Sequence, residues 1–475
     1  MKKIAIFCTF ILIFSLFNFS AVNVALADDI DFVAENSDAS VIRGCHSLDG
    51  QAALLGTGQL TENVQAAFLY EANSDTVMYA WNADAQMYPA SLVKVLTALI
   101  AVENGNMDAP VTVTQSAVDS VPYDAVSADL VAGEVMTLKD LLYCLLVDSA
   151  NDAAAVIAEH ISGSQTAFVS EMNAYAQQLG CSSTQFMNVH GLHDASQYTT
   201  ARDAARIMKA AIENDVLKEI FATTNYTVAA TNMSEARELT SGNSMMDKGS
   251  YLYYDARVIA GRTGVTEDGR RCFASVAESN GMRLISVVMG SESVYEEDGY
   301  TAISVGGYKE TKTLLDAGFT GYKSVQILYA DQALIQCKVT DGTSDVVLGP
   351  NISLSTVLPE DISKTDLDFR YTNNIFSAPL QAGDIISSVQ IWYGGICVAE
   401  AELCAMNTVS HANASVDQPQ QQNAQTDTAG WLVTVLLIVV GIGVIFAAIK
   451  FSGKIKAYFV TLRRKQYRRN RRRSK

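Results

Sequence analysis

Apolar runs of strand length open and close the central part of this chain, with helical spacing between them. Residues 66–84 (AAFLYEANSDTVMYAWNAD) read as two strands around a turn at Asn73-Ser74-Asp75. A helix is expected from Ser91 onward, two more over 136–161 with a break near Asp148-Ser149, and others over 164–179 and 200–213. Residues 271–279 and 283–290 (RCFASVAES, RLISVVMG) predict a strand pair joined through Asn280-Gly281, a pair suited to the positive φ values of a tight hairpin turn. A helix over 304–317 follows. The order strand–strand–helices–strand–strand–helix predicts an α/β (α+β) domain, an antiparallel sheet flanked by helices, over 62–319. From about Gly318 short β-rich runs with Gly, Asn and Asp turns predict a small all-β domain over 320–404.

The two ends read differently. Residues 1–27 carry Lys2-Lys3, an apolar run and Ala25-Leu26-Ala27, the pattern of a secretory signal, and 28–61 form an N-terminal segment. Residues 405–430 are polar and of low complexity, as in a disordered linker. Residues 431–449 (WLVTVLLIVVGIGVIFAAI) contain no charge and at about 1.5 Å per residue match the hydrocarbon thickness, which predicts one transmembrane helix. The tail, 450–475, has 12 Lys/Arg and no acidic residue, so it belongs in the cytoplasm with the catalytic part outside the cell membrane. Without the tail and Lys2-Lys3, the net charge is −31, against −17 for the whole chain. Such an acidic ectodomain argues against nucleic acid as a partner. Seven cysteines follow the signal and none forms a C-x-x-C pair, which argues against a structural zinc site. Cys144 and Cys272 lie in apolar runs as buried thiols, and the trio Cys337, Cys397 and Cys404 is the expected source of any disulfide.

The chemistry begins at "YPASLVKVLTALI" (88–100). Ser91 and Lys94 are three apart and share a helix face. A lysine walled in by Leu92, Val93, Val95 and Leu96 loses solvation, which favours its neutral form and makes it a base for a neighbouring serine. Ser149 and Asn151 follow 58 residues after Ser91, and Arg262-Thr263-Gly264-Val265 follow 113 residues after Ser149. Each piece alone has an ordinary reading: a snorkelling lysine, a helix cap, a turn on a sheet edge. Together they are S-x-x-K, S-x-N and a basic residue-T-G in order.

On these motifs, and on "LLYCLLVDSANDAA", "HGLHDASQYTTARDAA" and "GRTGVTEDGRRCFASVAESNGMRLISVVMG", the chain resembles the low-molecular-weight penicillin-binding proteins, specifically the D-alanyl-D-alanine carboxypeptidases of the β-lactamase/transpeptidase-like superfamily. The resemblance spans about residues 65–319, and 377–403 look like the family's C-terminal domain. It implies that Ser91 is the acylated nucleophile, that Lys94 takes its proton, and that Ser149 relays that proton to the departing D-alanine. It further implies that Asn151 hydrogen-bonds the substrate backbone. By the same resemblance the N–H groups of Ser91 and Val265 would form the oxyanion hole beside Gly264, and Arg262 and Thr263 would meet the substrate's terminal carboxylate. The implied substrate is a peptidoglycan stem peptide ending in D-Ala-D-Ala, β-lactams are the implied inhibitors, and neither metal nor cofactor is needed.

The chain departs from the family in three places. Arg262 replaces the usual lysine, no arginine stands just before Leu314-Leu315, and a full span replaces the usual amphipathic anchor. Arg262 is therefore expected to do the work of both cations; the alternative is that it only preserves a positive field that also lowers the pKa of Lys94. A β-lactamase reading lacks its deacylating glutamate, for which Glu171 is the nearest look-alike, and His190-x-x-His193 reads as a loop rather than a metal site. A β-lactam- or wall-binding receptor of low turnover is the alternative from another class.

Overall fold

The first hairpin is buried on both faces, which accounts for its almost unbroken apolar sequence. β1 (Ala66–Glu71) and β2 (Thr76–Trp81) pair antiparallel. β3 (Val258–Val265), β4 (Arg271–Ser279) and β5 (Met282–Ser291) complete a five-stranded antiparallel sheet in the order β2-β1-β5-β4-β3. Asn280 and Gly281 join β4 to β5 with φ of 52° and 76°, the two positive values the turn requires. β3 lies at the sheet's edge, which leaves one side of its backbone unpaired by the sheet. These elements belong to a computed structural model that describes residues 53–412, except 57, 60–62, 267–269, 296–301 and 373–374.

The period of two along each strand sends alternate side chains into two cores. Phe68, Tyr70, Ala274, Val276, Ile285 and Val287 face α1 (Val93–Asn104), α2 (Leu138–Leu146), α3 (Asn151–Ser162), α4 (Gln165–Gln178), α5 (Ala201–Glu213) and α6 (Asp215–Phe221). Leu69, Phe273, Ala277 and Leu284 face α7 (Tyr308–Phe319). Helix α1 is buried from Val93 through Ala101, so it is the central helix of the larger core. Thr137, Ser164, Thr200 and Asn214 cap four of these helices, each accepting a backbone N–H of the first turn. Helix α7 starts at Tyr308, four residues later than expected, because Ala302–Ser304 is a short strand and Gly307 holds φ 97° just before the first turn.

A second, all-β part packs below α7. Its five-stranded sheet runs Ile335–Cys337, Val346–Pro350, Ile396–Ala405, Ile385–Tyr393, Asp368–Tyr371 in spatial order. Val357 joins the α7 core, and Thr76 Oγ1 lies 3.3 Å from Thr356 Oγ1 in the buried contact between the two parts. The β part continues to Ala412, beyond the expected boundary at Cys404. Val409 is buried and bridges to Leu380, and His411 bridges to Gly342, so the first eight residues of the expected linker are structured. Cys144 and Cys272 are buried free thiols, as expected. The C-terminal trio forms no internal bridge, since Cys337 and Cys404 are free while Cys397 is disulfide-bonded.

Among the described residues no helix is long and apolar enough to cross a membrane. The signal at 1–27, the apolar run at 431–449 and the tail at 450–475 lie outside the described residues.

Candidate active site

Ser91 is the middle residue of a 3₁₀ turn, Ala90–Leu92, that leads into α1. That turn is held in an uncommon conformation. Ala90 has φ +47°, and two glycines make room for it. A Cβ on Gly191, itself at φ +90°, would stand 2.0 Å from the Ala90 carbonyl oxygen. A Cβ on Gly264 would stand 2.9 Å from the Ala90 Cβ and 3.0 Å from the Ser91 nitrogen. The backbone of β3 therefore passes directly beside Ser91 because residue 264 has no side chain.

One turn into the fold, Lys94 is 0 % exposed. Its Nζ is 2.7 Å from Asn151 Oδ1, 2.6 Å from the His190 carbonyl oxygen and 3.2 Å from Ser91 Oγ. The first two are obligate acceptors. With the amine neutral, these two acceptors would take its two N–H bonds and leave its lone pair for the serine hydroxyl. Burial, and then the positive charge of Arg262, hold the Lys94 amine well below its ordinary 10.5, while Asp152 opposes them. His190 is buried beside it, and burial followed by the Lys94 charge pushes the imidazole down to about 3. That ring is neutral at physiological pH.

The α2–α3 break supplies Ser149, whose φ of +69° is strained for a residue with a Cβ. Its Oγ lies 3.5 Å from Ser91 Oγ. Asn151 opens α3, receives Lys94 on its Oδ1 and donates from Nδ2 to the Val126 carbonyl at 2.8 Å. Both ends of that amide are thus engaged by the protein, although Asn151 still lines the cleft. Asp152 ties down the facing loop by accepting from Ser127 Oγ and from the N–H groups of Ala128 and Leu130.

Arg262 sits on β3 with its side chain turned inward, 4 % exposed. Its guanidinium donates to the Ser91 carbonyl at 3.2 Å, to the Leu146 carbonyl at 2.9 Å and to Ser149 Oγ. It makes no ion pair among the described residues, and burial lowers it to about 10, so it stays charged at neutral pH. It is absent from the lining of the cleft. That cleft, of about 650 Å³, is lined by Ser91, Ser149, Asn151, Thr263, Gly264 and Val265 among others. Six of the eight expected residues therefore line one cavity. Lys94 and Arg262 stand behind it, and for Arg262 that does not support the expectation of an arginine fork aimed at a substrate carboxylate.

Glu171 is exposed on α4, accepting from Ser162 Oγ, and does not line the cleft. The His190-His193 loop serves the site through a backbone carbonyl and through Gly191. Sequence reasoning missed those two contributions and the Ala90 conformation, because none of them depends on a reactive side chain.

Comparison with known proteins closes the identification. The family model for D-alanyl-D-alanine carboxypeptidase matches residues 56–293. The chain belongs to the D-alanyl-D-alanine carboxypeptidase family. Among its relatives, the D-alanyl-D-alanine carboxypeptidase DacA of Haemophilus influenzae is 32% identical over 360 residues, covering 73% of this chain and 86% of the relative. DacF of Bacillus subtilis is 26% identical over 75% of this chain and 88% of its own length. The solved structure of penicillin binding protein 5 from Haemophilus influenzae aligns with a TM-score of 0.61 at 30% identity, over 75% of this chain and all of that one. Both the sheet-and-helix domain and the all-β part fall within this likeness. The enzyme is thus a serine-type hydrolase of the cell wall, and the arrangement around Ser91 is its candidate machinery.

Proposed function

We propose that the carboxypeptidase removes the terminal D-alanine from a stem pentapeptide through an acyl-enzyme on Ser91. The observation that carries this reading is the buried Lys94, placed 3.2 Å from Ser91 Oγ with both its N–H donors directed elsewhere. The neutral amine takes the hydroxyl proton as Oγ attacks the carbonyl carbon of the penultimate D-alanine. Backbone N–H groups of Ser91 and Val265 receive the developing oxyanion. Because Arg262 donates to Ser149 Oγ, that oxygen is an acceptor on its inner side, and its own proton is free for the departing amine. Thr263 faces the cleft at the place for the terminal carboxylate, and Asn151 borders the peptide backbone. Water then cleaves the ester and restores Ser91. β-Lactams, which present an acylating carbonyl to the same serine, are the expected inhibitors.

The test is D-alanine release from a D-Ala-D-Ala-ending pentapeptide by the purified chain. Penicillin acylation without D-alanine release points instead to a receptor of low turnover.

The reading also includes a place: an external catalytic domain on a single C-terminal span, supported by the uncharged run at 431–449 and the twelve positive charges after it. Protease added to intact cells is expected to remove the catalytic fragment and spare the basic tail. A tail cut from outside reverses the orientation.

A further inference from the structure

A carboxypeptidase must recognise a free terminal carboxylate, and a carboxylate moved into a partly dry cleft needs a cation or it carries an uncompensated desolvation cost. Arg262 is turned inward with three nitrogens committed to protein acceptors. At the start of helix α7, Gly306 and Gly307 precede Tyr308, and the first basic residue, Lys309, is exposed and outside the cleft lining. A neighbouring strand is the other source of a cation.

β4 provides it. Thr263 pairs across the sheet with Phe273, and Val265 with Arg271. The period of two places Thr263, Phe273 and Arg271 on one face, with Arg271 the diagonal neighbour of Thr263 at about 7–8 Å, within reach of a long side chain. Phe273 also borders the start of α7, since a Cβ on Gly307 would stand 3.1 Å from its Cβ. Arg271 Nε donates to Ser293 Oγ at 3.3 Å, and the same oxygen accepts the Gly306 N–H at 3.2 Å. Through Ser293, the guanidinium is thereby tethered near the N-terminal approach to α7. Like Arg262, Arg271 lies outside the cleft lining, but it is half-buried, makes no ion pair among the described residues and commits only its Nε to a described acceptor, where Arg262 commits all three nitrogens. The nearby Glu292 carboxylate is taken by Arg270 at 2.9 Å.

We infer that Arg271 is the residue that reads the substrate's terminal carboxylate, working with Thr263, while Arg262 serves Ser149 and Lys94 from behind. The inference rests on the proposed carboxypeptidase reading, since it needs a peptide whose C-terminal carboxylate lies along β3. It divides between two arginines the task that the sequence had assigned to one.

The experiment compares kcat/KM of the full-length enzyme and Arg271→Gln on a D-Ala-D-Ala peptide and on its C-terminal amide. Each preparation is titrated with benzylpenicillin to count folded, acylatable sites. The expected loss on the acid is at least about thirtyfold, the low end for removing one partner of a charged hydrogen-bonded pair. Activity on the amide and the penicillin end-point stay as in the parent enzyme, and Arg271→Lys recovers part of the loss. An unchanged acid rate, or equal losses on acid and amide, overturns the inference. A parent enzyme that titrates with penicillin but releases no D-alanine from the acid contradicts the carboxypeptidase reading itself, which separates the two failures.

Discussion

Ser91→Ala abolishes both penicillin labelling and D-alanine release, with a fall in kcat of roughly a millionfold, the scale seen when a serine nucleophile is removed from a site whose other groups only assist it. The expectation follows from the convergence on one oxygen. Lys94 Nζ is 3.2 Å away, Ser149 Oγ is 3.5 Å away, and the β3 backbone passes beside the Ser91 nitrogen. The fold survives the change, because Ser91 is only partly buried and its hydroxyl fills no core position. Circular dichroism and the unfolding midpoint therefore match the parent enzyme while activity is lost. Substantial D-alanine release from the alanine variant moves the nucleophile elsewhere.

Lys94→Arg lowers the acylation rate by about 10²–10⁴-fold, the usual contribution of a positioned general base. The arginine keeps a positive charge in the same place, but it does not give up its proton at any accessible pH. The effect therefore separates basicity from charge. In the parent enzyme the acylation rate rises with pH as the Lys94 ammonium loses its proton and levels off above that point, since only the neutral amine accepts the Ser91 proton. The limb lies well below 10.5 because burial and the Arg262 charge both disfavour the ammonium. Arg262→Gln removes one of those two influences, so it shifts the limb to higher pH. A stopped-flow profile of acylation against pH for the three enzymes measures all of this. A limb that does not move in Arg262→Gln shows that the arginine leaves the lysine unperturbed.

What was legible in the sequence was the part governed by periodicity and by reactive side chains at fixed spacing. Asn280-Gly281 forces its turn through local φ preferences alone, and the hairpin appears where expected. Ser91 and Lys94 come together because three residues along a helix is a through-space distance already written in the chain. Ser149 and Asn151 were recognisable as a pair, although only the fold places them against Lys94. The strand that carries Arg262 was harder to see. Gly261 and Gly264 weaken its strand character, so it read as an edge turn before the strand at Arg271, whereas β3 runs unbroken through both glycines. The direction of the Arg262 side chain was misjudged for a related reason. Alternation along β3 sends residue 262 inward and 263 toward the cleft, and the register that decides this belongs to the whole sheet. The same register places Arg271 beside Thr263, a relation invisible in a linear reading. Gly191 and the His190 carbonyl act through backbone, which carries no residue-type signal. The end of the β part was set early because residues 405–412 are largely polar in composition, yet Ala405 and Val409 are buried in the β-part core and keep them packed.

The central claim is a covalent ester at Ser91 on the path to D-alanine release. Rapid acid quench during turnover of a D-Ala-D-Ala pentapeptide, followed by peptide mass spectrometry, tests it most directly. The account predicts one adduct, on the peptide containing Ser91, with the mass of the stem peptide lacking its terminal D-alanine, formed in step with the first equivalent of D-alanine. D-alanine released with no adduct at Ser91, or with the adduct on another residue, contradicts it.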